Sequence, residues 1–121
     1  MSAKILVADD EPNIVVSLEY MMKREGYEVL VARDGQEALD AIRNARPQLV
    51  LLDANMPRMT GFEVCEAVRA DAEVRDTRIL MLTAKGRESD IARGLGAGAD
   101  AYVTKPFSTR DLVAKVRDML A

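Results

Sequence analysis

The chain has 121 residues, 49% of them apolar and 31% charged, with a formal net charge of −3. That balance fits one globular domain with its own core, not a disordered tail, and excludes a strongly basic nucleic-acid-binding surface. There is no histidine, which excludes His-based acid–base catalysis, a Ser–His triad and His-ligated zinc within the chain. The single cysteine cannot form an internal disulfide and suits a reducing cytoplasm. No apolar run approaches the ~20 residues of a membrane helix, and Met1-Ser2-Ala3-Lys4 enters a strand-like segment without the apolar core of a signal peptide.

The first apolar run, Ile5-Leu6-Val7-Ala8, is followed by Asp9-Asp10-Glu11 and then by Ile14, Leu18, Met21 and Met22 at helical spacing. Pro12 suits the first turn of that helix and Gly26 its end. Val29-Leu30-Val31-Ala32 precedes a helix marked by Ala38, Leu39 and Ile42, closed before Pro47. Leu49-Val50-Leu51-Leu52 runs into Asp53, and Phe62, Cys65 and Val68 mark a helix begun after Gly61, with Cys65 as inert core. Ile79-Leu80-Met81-Leu82 leads to Thr83. Beyond it Ile91, Ala92 and Leu95 mark the apolar side of a helix weakened by Gly94, Gly96 and Gly98. Ala101-Tyr102-Val103-Thr104 leads to Lys105, and Leu112, Val113, Val116, Met119 and Leu120 mark a last helix, with Ser108 and Asp111 spaced as a capping box.

Each short run is continuously apolar, as in a strand covered on both faces, and strands alternate with helices. The expected fold is therefore a flavodoxin-like doubly wound (βα)5 three-layer sandwich, one domain over residues 1–121, with parallel strand order 2-1-3-4-5. Ligands of such sheets bind beyond the carboxyl ends of the strands, near the reversal of strand order. That edge carries Asp9, Asp10, Asp53, Thr83 and Lys105, with Asp53 near the centre of the cleft. Arg33-Asp34, after the second strand, is expected to lie outside it. Three clustered carboxylates oppose one another's ionisation. Lys105 offsets part of this, and a hard divalent cation, Mg2+ with Mn2+ as substitute, would supply the rest. These positive surroundings would hold Asp53 ionised as a nucleophile that forms an acyl phosphate. The cation, Lys105 and Thr83 could each take one phosphoryl oxygen.

These residues resemble those of response-regulator receiver domains along essentially the whole chain. Asp9-Asp10 looks like the family's metal-binding pair. Asp53, followed by Met56-Pro57 and Gly61, looks like the phosphorylated aspartate and its loop. Thr83-Ala84 resembles the hydroxyl-then-small pair that leaves room for the phosphoryl group, and Lys105-Pro106-Phe107 resembles the lysine with its proline, often after a cis peptide bond. The resemblance implies that Asn55 gives its backbone carbonyl to the metal and that Tyr102 swings inward on activation. It implies a cytoplasmic two-component protein phosphorylated by a sensor histidine kinase or phosphotransfer protein. Such a protein would catalyse its own phosphorylation and slow dephosphorylation without being a conventional enzyme. The face of helix four, strand five and helix five would pass the signal to an effector or output domain, with no direct nucleic-acid or membrane contact.

Ala54 is smaller than the family's usual residue after the acceptor, and Asn55 and Lys85 occupy lifetime-tuning positions. Asp100, Asp111 and Lys115 fit the charge ladder of dimeric winged-helix regulators whereas Ala97, Ala101 and Asp118 do not. The implied state is a monomer or a weak phosphorylation-dependent dimer. The alternative function is a receiver-like protein-binding module that works without phosphorylation. A flavin or nucleotide binder of this fold fits less well, because Asp9-Asp10-Glu11-Pro12 would repel phosphate.

Overall fold

The computed structural model describes residues 2–84 and 88–121; the tuning position read at Lys85 lies outside them. Strands and helices alternate throughout: β1 (Lys4–Ala8), α1 (Pro12–Arg24), β2 (Glu28–Ala32), α2 (Gly35–Ala45), β3 (Leu49–Asp53), α3 (Gly61–Ala70), β4 (Arg78–Ala84), α4 (Glu88–Ala97), β5 (Ala101–Lys105) and α5 (Thr109–Leu120). The sheet is parallel in the order β2-β1-β3-β4-β5, the order expected. β1 and β3 lie in its interior, and every residue of β3 is buried.

Side chains alternate between two cores, because successive strand residues point to opposite faces. Leu6, Val50, Leu52, Ile79 and Met81 pack with Ile42 of α2 and with Phe62, Cys65 and Val68 of α3. Ile5, Val7, Leu49, Leu51, Leu80 and Leu82 pack on the other face with Leu18 and Met22 of α1 and Leu112 and Val116 of α5. Each such side chain contributes ~1.5–3 kcal/mol of burial, so the continuous apolar runs stabilise the sheet from both sides.

The helix signals resolve into capping contacts. Asp34 Oδ1 accepts from the Glu37 amide at 2.8 Å, and Ser108 Oγ accepts from the Asp111 amide at 3.3 Å, the Ser108 arm of the predicted box. Thr60 and Glu63 form a full capping box at the start of α3. In α4 the buried side differs from the expected one. Asp90 and Gly94 face inward, Ile91 is half-buried, and Ala92 and Leu95 are exposed. An inward carboxylate and a glycine carry no hydropathy signal, so the periodicity pointed to the wrong face.

Candidate functional site

The parallel order brings the carboxyl ends of β1, β3 and β5 to one edge, and the polar residues there converge. Asp9 is fully buried and Asp53 only 6% exposed, whereas Asp10 is exposed. One carboxylate oxygen from each of Asp9, Asp10 and Asp53 lies within 4.8 Å of the others. Lys105 reaches across from the end of β5. Its Nζ stands 2.8 Å from Asp9 Oδ2, 3.2 Å from Glu11 Oε1 and 3.5 Å from Asp53 Oδ1. Glu11 was not among the expected site residues; its place beside the acidic pair was the one available signal.

The local backbone holds this geometry. The amide of Glu11 donates to Asp9 Oδ1 at 3.0 Å and that of Asn55 to Asp53 Oδ1 at 3.3 Å. Gly61 opens α3 directly against β3: a β-carbon there would collide with the Asp53 carbonyl oxygen, so only glycine permits this approach. The Lys105–Pro106 bond is cis, as the resemblance suggested.

Thr83 is buried in the strand beside Asp53, but its hydroxyl donates to the Val103 carbonyl of β5 at 3.4 Å. Ala84 pairs in register with Lys105. Tyr102 points away from the cleft, 38% exposed, with Lys115 Nζ 5.8 Å from its ring centroid. Asp34 stays out of the acidic cluster but does more than end a strand. It caps α2 and pairs with Arg58 at 3.8 Å, while Gly35 packs on the backbone of Met59. The turn after β2 therefore braces the loop after Asp53. Asp100, read as a ladder residue, bonds internally to Arg69 at 2.9 Å and to the Ile79 amide at 2.8 Å.

Burial, followed by the charge of Asp9, raises the Asp53 carboxyl to about 7, against the opposing pull of Lys105. Lys105 alone therefore does not hold Asp53 fully ionised at neutral pH, and the ionisation expected from the sequence drew on a divalent cation as well. For Lys105, burial acts to lower the ammonium's pKa, but its contact with Asp9 and the charges of Asp53 and Asp9 outweigh this and leave it raised. Burial also pushes the Cys65 thiol up to about 11, which fits an inert core residue.

A divalent cation fits this donor set. Asp9 Oδ2 is buried and has no hydrogen-bond partner of good geometry, its one close cation being Lys105 Nζ at 2.8 Å. Three carboxylates with no sulfur or imidazole favour a hard, oxygen-seeking ion. Such a charge would supply what Lys105 does not.

The fold and the acidic cluster define a class, and comparison with known proteins confirms it. Residues 5–117 match the family model for the response regulator receiver domain, and the chain belongs to that family, which serves two-component signalling. It is similar to a chemotaxis response regulator of Vibrio cholerae, at 37% identity and a TM-score of 0.92 over 99% of this chain and 100% of that one. A structure assigned to a response regulator of Chloroflexus aurantiacus is 35% identical, with a TM-score of 0.95 over 99% and 98% of the two chains. The receiver domain of a sensor histidine kinase of Pseudomonas aeruginosa is 28% identical, with a TM-score of 0.92 over 99% and 98%, and holds a magnesium ion in its active-site cleft. Among the described residues no helix is long and apolar enough to cross a membrane.

Proposed function

We propose that residues 1–121 act as one receiver unit and that Asp53 accepts a phosphoryl group from a phosphohistidine on a sensor kinase or phosphotransfer protein. The observation that carries this reading is the position of Asp53, buried at the cleft centre with Asp9, Asp10 and Lys105 around it. An Asp53 carboxylate oxygen attacks phosphorus, the bond from phosphorus to the partner's imidazole nitrogen breaks, and that nitrogen leaves with a proton from solvent. Asp9, Asp10, Asp53 and the Asn55 carbonyl would hold Mg2+, or Mn2+ in its place, which supplies charge neutralisation at the phosphoryl oxygens. Lys105 offers its ammonium to the phosphoryl group, and Ala84 leaves room for it.

Thr83 then exchanges its Val103 contact for a phosphoryl oxygen, and Tyr102 turns inward from its exposed position. The face of α4, β5 and α5 changes what it binds, an effector or output domain. A phosphoryl group adds about −1.5 to −2 charge, enough to draw the Thr83 hydroxyl from a 3.4 Å contact.

The test is intact mass after incubation with phosphoramidate and Mg2+, for wild type and Asp53→Ala. The expected result is a phosphoryl adduct on wild type that requires the metal and is lost in the variant. A folded wild type that takes no adduct in excess Mg2+ would favour the phosphorylation-independent binding module.

A further inference from the structure

The two ends of α4 are held in different ways. Beyond its C-terminal end, Arg69 of α3 fastens the turn into β5: its guanidinium donates to the carbonyls of Gly98, Arg75 and Thr77 at 2.8, 2.7 and 2.6 Å and pairs with Asp100 at 2.9 Å. A planar group that makes four such contacts fixes that end to the body of the protein.

The other end meets the phosphorylation loop. Asp90, in the first turn of α4, is only 3% exposed, and its Oδ2 accepts from the side-chain amide of Asn55 at 3.3 Å. Asn55 lies two residues beyond Asp53, and its own backbone amide donates to Asp53 Oδ1. A single residue thus touches the central carboxylate through its backbone and α4 through its side chain. Burying a carboxylate is costly unless it is hydrogen-bonded, and an apolar residue would serve packing here at least as well. The inward carboxylate therefore calls for a role that packing does not supply.

We propose that Asp90 is a positioning residue whose carboxylate, through Asn55, joins the loop after Asp53 and the first turn of α4 into one mechanical unit. A change at Asp53 then reaches the first turn of α4 directly, while Arg69 holds the far end as the pivot. In its signalling sense the proposal rests on Asp53 being the phosphoacceptor; the link itself does not.

A carboxylate in a first turn also stabilises a helix through its dipole, and the variants separate the two roles. Asp90→Asn loses the charge but keeps an oxygen that can accept from Asn55; Asp90→Ala and Asn55→Ala each remove the link. The measurement is amide hydrogen exchange over residues 88–97 in unphosphorylated, metal-free protein. Asn55→Ala is expected to speed exchange about fivefold, the worth of one side-chain hydrogen bond, and Asp90→Ala by at least as much. The double variant should add nothing further, and Asp90→Asn should stay near wild type. Additive effects, or Asp90→Asn behaving like Asp90→Ala, would overturn the link in favour of a dipole role.

A second arm repeats the exchange after phosphoramidate and Mg2+, with the adduct verified by mass. The phosphorylation-dependent change in α4 should persist in Asp90→Asn and vanish in Asp90→Ala. Persistence in Asp90→Ala would overturn the signalling role. If wild type takes no phosphoryl group, the phosphoacceptor reading of Asp53 falls, and the resting-state comparison still decides the link.

Discussion

The two edges of the sheet use charge in opposite ways. At the amino edge, polar groups lie near the surface and are matched. The Lys4 amide donates to Gln48 Oε1 at 2.7 Å, the Gln48 amide to the Lys4 carbonyl at 2.9 Å, and Arg46 pairs with Glu73 at 2.7 Å in full view of solvent. At the carboxyl edge, Asp9 and Asp53 are buried and share one lysine with Glu11. The core strands feeding both edges are equally apolar, so the contrast cannot arise from hydrophobic packing. One edge is arranged for stability; the other gathers carboxylates that a single lysine only partly offsets, at a cost in stability.

The largest expected effect is that of removing the shared cation. Lys105→Met should lower the stability of metal-free protein at pH 8 by ~3 kcal/mol, the low end for breaking a buried ion pair, because Asp53 can take up a proton instead. Urea unfolding in a chelator measures it, and Mg2+ should recover part of the deficit by binding the folded state. A loss below ~0.5 kcal/mol would put the two edges on the same footing.

Asp53→Asn should have the opposite sign. The folded-state carboxyl titrates at about 7, whereas an unfolded aspartate titrates near ~3.9. The folded state therefore binds the extra proton between these values, and the stability from this group, complete below ~4, is lost as pH rises through about 7. Without metal, Asp53→Asn should gain ~2 kcal/mol at pH 8 and almost nothing at pH 4. That is less than the full shift implies, because Asp9 and Asp10 share in the repulsion. A gain independent of pH would show that charge is not its source.

The contrast between the edges also governs what could be read in advance. Continuous runs such as Leu49-Val50-Leu51-Leu52, buried on both faces, left little choice of element. Parallel order then carried Asp9, Asp10, Asp53 and Lys105 to one edge, so the acidic cluster was legible with the strands. Contacts that depend on a helix's rotation were not. The inward turn of Asp90 runs against hydropathy, and its contact with Asn55 spans 35 positions of sequence. Nor did any local pattern show that Asp100 would be taken up by Arg69, or that burial and Asp9 would outweigh Lys105 at Asp53. The elements follow from periodicity, whereas the state of each charge depends on neighbours that only the folded chain supplies.

The smallest effect lies at the amino edge. Arg46 ends α2 with φ at 50°, a left-handed conformation that costs a non-glycine residue ~1–2 kcal/mol. Its exposed bridge to Glu73 returns ~0.2–1 kcal/mol. Arg46→Gly relieves the backbone and loses the bridge, for a net gain of ~0.5 kcal/mol, limited by the wider freedom glycine has in the unfolded chain. Arg46→Ala keeps the strained backbone and loses the bridge, and should cost ~0.5 kcal/mol. Urea unfolding at a single pH distinguishes them by sign. If Arg46→Ala instead cost as much as Lys105→Met, the surface pair would matter as much as the buried one, and the amino edge would owe its stability to a single contact rather than to many matched ones.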